Sequence, residues 1–250
     1  NDEPASELLK RIAKEKARRV KDREIRQRDI QPPIPSNEAP FDLPNSWVWT
    51  RLGTLCFLIT DGAHHTPKYQ DEGVPFLSVK DVSSGIIDFS NTRFISKEAH
   101  RELAKRCNPE FGDILLTKVG TTGIAVEVDT EQEFSIFVSL ALLKFSRENI
   151  DRRFLCYLIN SPFVKRQSAD NTQGIGNKNL VLRLINQFAI PLPPLAEQHR
   201  IVAKVDALMA LCDRLEASLD QTAAARRRLL DALLSEALAP AEAREMEAAE

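Results

Sequence analysis

Three groups of polar and basic side chains sit beside glycines in the middle of this 250-residue sequence. The first is His64, His65, Thr66 and Lys68, just after Gly62. The second is Lys118, Thr121 and Thr122, around Gly120 and Gly123. The third is Gln173, Asn177, Lys178 and Asn179, around Gly174 and Gly176. Asn and Gln amides match the edge of adenine, and Lys pairs with guanine or with a phosphate. A glycine lets the backbone come close to a ligand. The chemistry these groups offer is hydrogen bonding to a nucleic acid. Ordinary solvated turns have the same composition, so both readings stand at this point.

Catalytic signatures are missing. Gly174-Ile175-Gly176-Asn177-Lys178-Asn179 is glycine-rich but lacks the Lys-Ser/Thr ending of a phosphate-wrapping loop. His64 and His65 are adjacent, so on a strand they point to opposite sides, and no H-x-x-x-H pair exists to suggest a metal. There is no G-x-S-x-G elbow. The double prolines, Gln31-Pro32-Pro33-Ile34 and Leu192-Pro193-Pro194-Leu195, do not fit the Asn/Asp-Pro-Pro-aromatic motif of amino-methyltransferases. Within 32–195 no lysine has an acid two positions before it, as a magnesium-dependent nuclease would want. These absences favour binding over catalysis, without a metal or other cofactor.

The elements that must carry these groups fall into three segments. Formal charge is +3 over 1–31, −1 over 32–195 and −4 over 196–250, summing to −2. That excludes a generally cationic DNA-coating protein but not a local basic face. Residues 1–31 read as a helix, with Pro4 suited to its first turn and Ala5, Leu8, Leu9, Ile12 and Ala13 at helical spacing. A proline-rich stretch, 31–44, then starts an extended linker. Residues 32–195 read as a mixed α/β domain. Strands are expected from Trp47, over 74–79, over 113–117, and over 134–142, where Phe134, Ile136, Val138, Leu140 and Leu142 alternate. Short helices are expected over 151–160 and 162–169, and a last extended piece over 188–191.

The segment 196–239 reads as one long helix of roughly 65 Å at ~1.5 Å per residue. Ile201, Val205, Leu208, Cys212, Leu215, Leu219, Thr222, Arg226, Leu229 and Leu233 advance by alternating steps of four and three, the seam of a coiled coil. Thr222 and Arg226 interrupt it and fix register at some cost in stability. The expected fold class is therefore α+β, one mixed domain flanked by long helices, with 240–250 as an acidic tail. The four cysteines form no C-x-x-C pair, as suits reduced thiols in a cytoplasmic protein. No run suggests a membrane span or a signal peptide. The chain starts at Asn1 without Met, which points to processing or to a cut from something longer.

Particular motifs carry a resemblance. Leu43-Pro44-x-x-Trp47-x-Trp49 with Leu52-Gly53 opens the domain. Asp61-Gly62-x-His64-x-Thr66-Pro67, Gly73-Val74-Pro75-Phe76-Leu77 and Gly112-Asp113-Ile114-Leu115-Leu116-Thr117 follow. Ile190-Pro191-Leu192-Pro193-Pro194-Leu195-Ala196-Glu197-Gln198 closes it and runs into the long helix. Over about 1–239 the sequence resembles one half of a type I restriction–modification specificity subunit, and its opening resembles the end of a central helix, so a C-terminal half. The resemblance implies a non-catalytic DNA reader. Such a subunit carries two target-recognition domains on paired helices that space the halves of a split site. Methyltransferase subunits bind beside it, and motor-nuclease subunits join. This chain has one such domain, so its seam is expected to pair with a second copy or with the other half. A recognition fragment of a fused methyltransferase or nuclease, and a coiled-coil scaffold that binds proteins, are the rival readings. The −1 charge of the central segment favours the scaffold.

Overall fold

The computed structural model describes residues 2–26, 32–172 and 179–238. The chain divides into two compact units, Asn1–Val202 and Ala203–Glu250.

The first unit opens with helix α1 (Ala5–Lys21), which buries Ala5, Leu8 and Ile12 along one stripe. The sequence suggested a helix reaching further. Past Ile12 that stripe has no further buried residue, and Arg23 at φ 60° takes the chain out of helical geometry. Residues 27–31 lie outside the described residues. Strand β1 (Val48–Arg51) leads into the short helix α2 (Leu52–Leu55) and strand β2 (Cys56–Asp61). Next come β3 (Val74–Leu77), β4 (Arg93–Ile95), helix α3 (Lys97–Ala104), β5 (Ile114–Thr117), β6 (Ala125–Glu127), β7 (Ser135–Ile136) and β8 (Leu140–Phe145). Helices α4 (Arg152–Asn160), α5 (Pro162–Asp170) and α6 (Leu182–Asn186) precede β9 (Ala189–Leu192) and the long helix α7 (Leu195–Leu238).

Three sheets result: β1-β9, the four-stranded β2-β8-β5-β6, and β4-β3-β7. The four-stranded sheet is apolar on both faces, which is why its strands read as continuous hydrophobic runs. One face sends Ile59, Ile114, Leu116, Ala141 and Leu143 into the larger core, shared with α1, α2, α4 and the start of α7. The other sends Leu115, Val126, Leu140 and Leu142 into a second core with Leu77, Val82, Phe134 and Ile136.

The nine-residue alternation over 134–142 is not one strand. Ser135–Ile136 belongs to the three-stranded sheet and pairs in parallel with β3, and the chain turns before β8 joins the central sheet. Phe134, Ile136, Leu140 and Leu142 nevertheless all enter the second core. A period of two survived a turn because both sides of the turn face the same apolar volume.

The domain's entry and exit are clasped. β1 and β9 pair antiparallel from Val48↔Leu192 to Arg51↔Ala189. The Gln167 amide caps the end of that ladder, donating to Ala189 O at 3.0 Å and accepting from Ala189 N at 2.7 Å. In the first turn of α7, Glu197 accepts from Trp47 Nε1 at 2.9 Å. Gln198, with no exposed surface, accepts from Asp151 N at 2.9 Å and donates to Pro193 O at 3.1 Å. Asp151 in turn caps α4 through Phe154 N.

The described residues of the second unit are helical throughout, and Leu208, Leu215, Leu219, Leu229 and Leu233 are exposed on them. Of the other seam residues, Val205 is half-buried, while Ile201 packs on the larger core of the first unit. The four cysteines are free thiols. Burial pushes the Cys107 thiol up to about 12 and that of Cys156 up to about 11, so both stay protonated at neutral pH. Among the described residues no helix is long and apolar enough to cross a membrane.

Replacing Gln198 by Ala leaves Asp151 N and Pro193 O without their side-chain partner in a dry site. The expected loss is about 2 kcal/mol of stability, read as a lower urea midpoint at unchanged slope.

Candidate nucleic-acid interface

The first two polar groups of the sequence meet at one buried carboxylate. Asp61 ends β2 and is almost fully buried. Lys118, just past the end of β5, brings its Nζ to 3.4 Å from Asp61 Oδ2 and also donates to Val138 O at 3.3 Å. His64 Nε2 lies 3.0 Å from Asp61 Oδ1. Arg106, past the end of α3, donates from Nη2 to Asp61 Oδ1 at 2.5 Å, to Asp61 O at 2.6 Å and to Gly62 O at 3.0 Å. A carboxylate taken out of water needs such partners, and here it collects one from its own loop and two from distant stretches of chain.

Gly62 belongs to the same arrangement. A Cβ at this position would sit 1.9 Å from Ile136 O, so no other residue fits without moving the strand. The close approach lets Ala63 N donate to Ile136 O at 2.9 Å and lets Ala63 pair with Phe137. The Asp61-Gly62-x-His64 pattern is thus a loop bound backbone-to-backbone to one sheet while its Asp and His turn toward a shared centre. Beside it lies a cavity of about 240 Å³ lined by Ala63, His64, His65, Leu103, Arg106 and Ile136 among others.

The second group is tied to the neighbourhood of the third. Thr122 Oγ1 and Thr172 Oγ1 lie 3.1 Å apart. Val119 and Asn179 form an antiparallel bridge, and Leu180 N donates to Lys118 O at 2.7 Å. Gly120 and Gly123 adopt φ of 80° and 85°, which turns the loop between them. The calls on Gln173, Asn177 and Lys178 lie outside the described residues.

The individual side chains divide by accessibility. His64, His65, Thr66, Lys68 and Thr121 are exposed, and Thr122 and Asn179 are half-buried. Lys118 departs from the sequence expectation. It is almost fully buried, and its charge is spent on Asp61, so it braces the loop and offers no free cation to a phosphate. The sequence reading missed Arg106, which lies 45 residues from Asp61 with no motif of its own. Nothing local marks it. Asp61 was legible only as part of a pattern.

A second buried carboxylate sits at the opposite end of the strands of this sheet. Asp113 takes Lys144 Nζ and Arg147 Nη2, each at 2.7 Å, and Glu110 takes Lys144 at 2.8 Å. The Lys144 ammonium holds the Glu110 carboxyl below its usual range.

Asp61→Asn removes the charge that balances Lys118 in a buried site. A loss of about 3–5 kcal/mol is expected. Pairing it with Lys118→Met should restore much of that loss, and thermal unfolding of the two variants checks both. Equal destabilisation of single and double variants would contradict the assignment.

Comparison with known proteins places this geometry. The model of the type I restriction modification DNA specificity domain matches residues 44–223. The chain is 28% identical over 243 residues to the type I restriction enzyme EcoAI specificity subunit of Escherichia coli, covering 95% of this chain and 41% of that protein. To the EcoEI specificity subunit, also of Escherichia coli, it is 26% identical, again over 95% of this chain and 41% of the relative. The chain thus spans about two fifths of the length of these curated relatives. In fold it is similar to the HsdS subunit from Thermoanaerobacter tengcongensis, with a TM-score of 0.59 and 22% identity, covering 79% of this chain and 51% of that one. A chain from a structure addressing complex assembly and conformational transition of the type I R-M system gives a TM-score of 0.62 at 24% identity, over 93% of this chain and 56% of that one. The matched segment begins at the clasp, contains the Asp61 loop and its partners and runs on along the long helix, and on that match the chain belongs to the type I restriction–modification DNA specificity domain family.

Proposed function

We propose that this chain is the DNA-reading half of a type I restriction–modification specificity subunit, its C-terminal half, and that it does no chemistry itself. The observation that carries the reading is the family match over 44–223, which takes in both the loop-bearing domain and part of the seam-bearing helix.

On this reading residues 32–195 are the target-recognition domain, 1–31 the end of a preceding spacer helix, 196–239 the spacer helix and 240–250 an acidic tail. His64, His65, Thr66, Lys68, Thr121, Thr122 and Asn179, with Gln173, Asn177 and Lys178, enter the major groove and read a half-site of a few base pairs. Lys118 serves them from behind. The seam of Ile201, Val205, Leu208, Leu215, Leu219, Leu229 and Leu233 meets a second copy or the other half of a subunit, which sets the distance between half-sites. A methyltransferase subunit docks on this frame and flips and methylates the target base, motor-nuclease subunits join it, and the assembly works in the cytoplasm. The five exposed leucines of that seam support the helix-pairing part, because a lone helix gains nothing from carrying them.

Selection from a pool of randomised duplexes tests the reading, using the full chain alone and together with a type I methyltransferase subunit. A short enriched sequence is expected, with Lys68→Ala weakening binding about equally for all duplexes and lowering the salt slope by about one. No enrichment in either form would favour a protein-binding scaffold instead. Methylation or cleavage by the chain alone would favour a severed enzyme.

Light scattering over a concentration series checks the helix pairing. A mass near twice 28.1 kDa is expected, falling to the single-chain value when Leu215 and Leu219 are both replaced by Glu. A single-chain mass at every concentration would remove self-pairing from the proposal.

A further inference from the structure

Arg93 sets its guanidinium beside an aromatic ring instead of a carboxylate. It is exposed at the start of β4, an edge strand of the three-stranded sheet. Arg106, Arg147 and Arg152 each hold a carboxylate of the first unit. Among the described residues Arg93 has no carboxylate within ion-pair distance, although Asp71 and Glu72 lie on the loop beside it. Its guanidinium lies near an aromatic face: its Cζ stands 5.7 Å from the centroid of the Tyr69 ring.

That ring is not adrift. Tyr69 packs on Phe76 at 6.1 Å between centroids, and Phe76 on Phe137 at 6.0 Å. Phe76 is buried and directly opposite Arg93 in the β3–β4 register, so the two side chains share a face of the sheet. The loop that carries Tyr69 is stapled to the same strand, because Gln70 N donates to Phe94 O at 2.9 Å. Arg93 therefore lies beside Lys68, Tyr69 and Gln70, although 24 residues of sequence separate it from Tyr69. A guanidinium attracted to a ring face is biased toward the rotamers that keep it there. Its planar fork of donors is set for a planar, two-point acceptor. The neighbouring Lys68 is a flexible point charge, better suited to a phosphate.

We infer that Arg93, oriented by Tyr69, is a specificity-determining residue that reads the O6 and N7 edge of a guanine in the half-site. This rests on the DNA-reading function proposed above. It extends the reading face from the Asp61 loop and Lys68 onto the edge strand of the three-stranded sheet.

The same duplex selection tests it, run with the full chain, Arg93→Ala, Arg93→Lys and Tyr69→Leu, each first checked for an unchanged unfolding midpoint. The unaltered chain should require guanine at one position. Arg93→Ala and Arg93→Lys should both lose that preference about tenfold to hundredfold, while preferences elsewhere in the site persist. Tyr69→Leu should lose it in part, because the fork remains but its platform does not. Both Arg93 variants should keep the salt slope of the parent, because a base contact neutralises no phosphate. An unchanged preference in Arg93→Ala overturns the inference. So does an equal loss across all duplexes, which would make Arg93 a phosphate contact. If the parent chain binds and selects a sequence with no required guanine, the inference fails while the DNA-reading function stands. If the parent selects nothing, with or without the methyltransferase, that function fails and the inference with it.

Discussion

A domain that sits between two helices must bring the chain back to where it left, and the β1–β9 ladder imposes that return. Four residue pairs bind the entry strand to the exit strand. The first turn of α7 is then fixed by two side chains, Glu197 on Trp47 and Gln198 between Asp151 and Pro193. Gln198 is a polar group with no access to water, so its satisfied amide is stabilising only in this one arrangement. The consequence reaches beyond the clasp. Ala5, Leu8 and Ile12 of α1 share a core with Leu195, Ile201 and Val202 of α7. The first two turns of the long helix are thus part of the domain that carries the loops, and the loops have a set orientation relative to those turns.

The same separation of frame and surface governs the candidate interface. Asp61, Gly62, Arg106 and Lys118 are locked, by charge in three cases and by a 1.9 Å limit at Gly62. His65, Thr66, Lys68 and Thr121 project from that frame into solvent. Substitutions at exposed positions such as these change stability by only about half a kcal/mol, whereas removing one member of a buried ion pair costs several. The exposed loop positions can therefore change at little risk to the fold.

Much of this was open to inspection in the sequence, for reasons that differ by residue. The closing Pro193-Pro194-Leu195-Ala196-Glu197-Gln198 run was readable because proline stops a strand and starts a helix, and the structure shows that its Glu and Gln also bolt that helix down. The seam was readable because a 44-residue helix repeats its pattern many times. The alternation over 134–142 was misread because periodicity reports which volume a side chain enters and is blind to a turn that leaves that volume unchanged. The burial of Lys118 was not legible, because sequence gives a lysine its charge but not the carboxylate that pairs with it. Arg106 and Arg93 had no local signal at all. Their roles come from strand pairing and helix placement across 24 to 45 residues, which only the fold supplies.

The charge distribution now has a physical reading. The segment 32–195 is net negative by one, the sign that opposes binding to a polyanion. Several of its cations are also committed internally: Lys118 and Arg106 to Asp61, Lys144 and Arg147 to Asp113, Arg152 to Glu127. Non-specific affinity for DNA scales with the number of phosphates neutralised, so a domain that spends its cations on its own carboxylates has little of it. Base reading does not need that currency. It depends on directional donors and acceptors held in place, which a frame braced by ion pairs provides. Under the proposed function the grip on the DNA backbone then falls largely to the partner subunits, and the reader contributes discrimination. The division has a physical advantage. A recognition module with weak affinity of its own does not occupy DNA unproductively, and it becomes effective only once assembled with the subunits that act on the site.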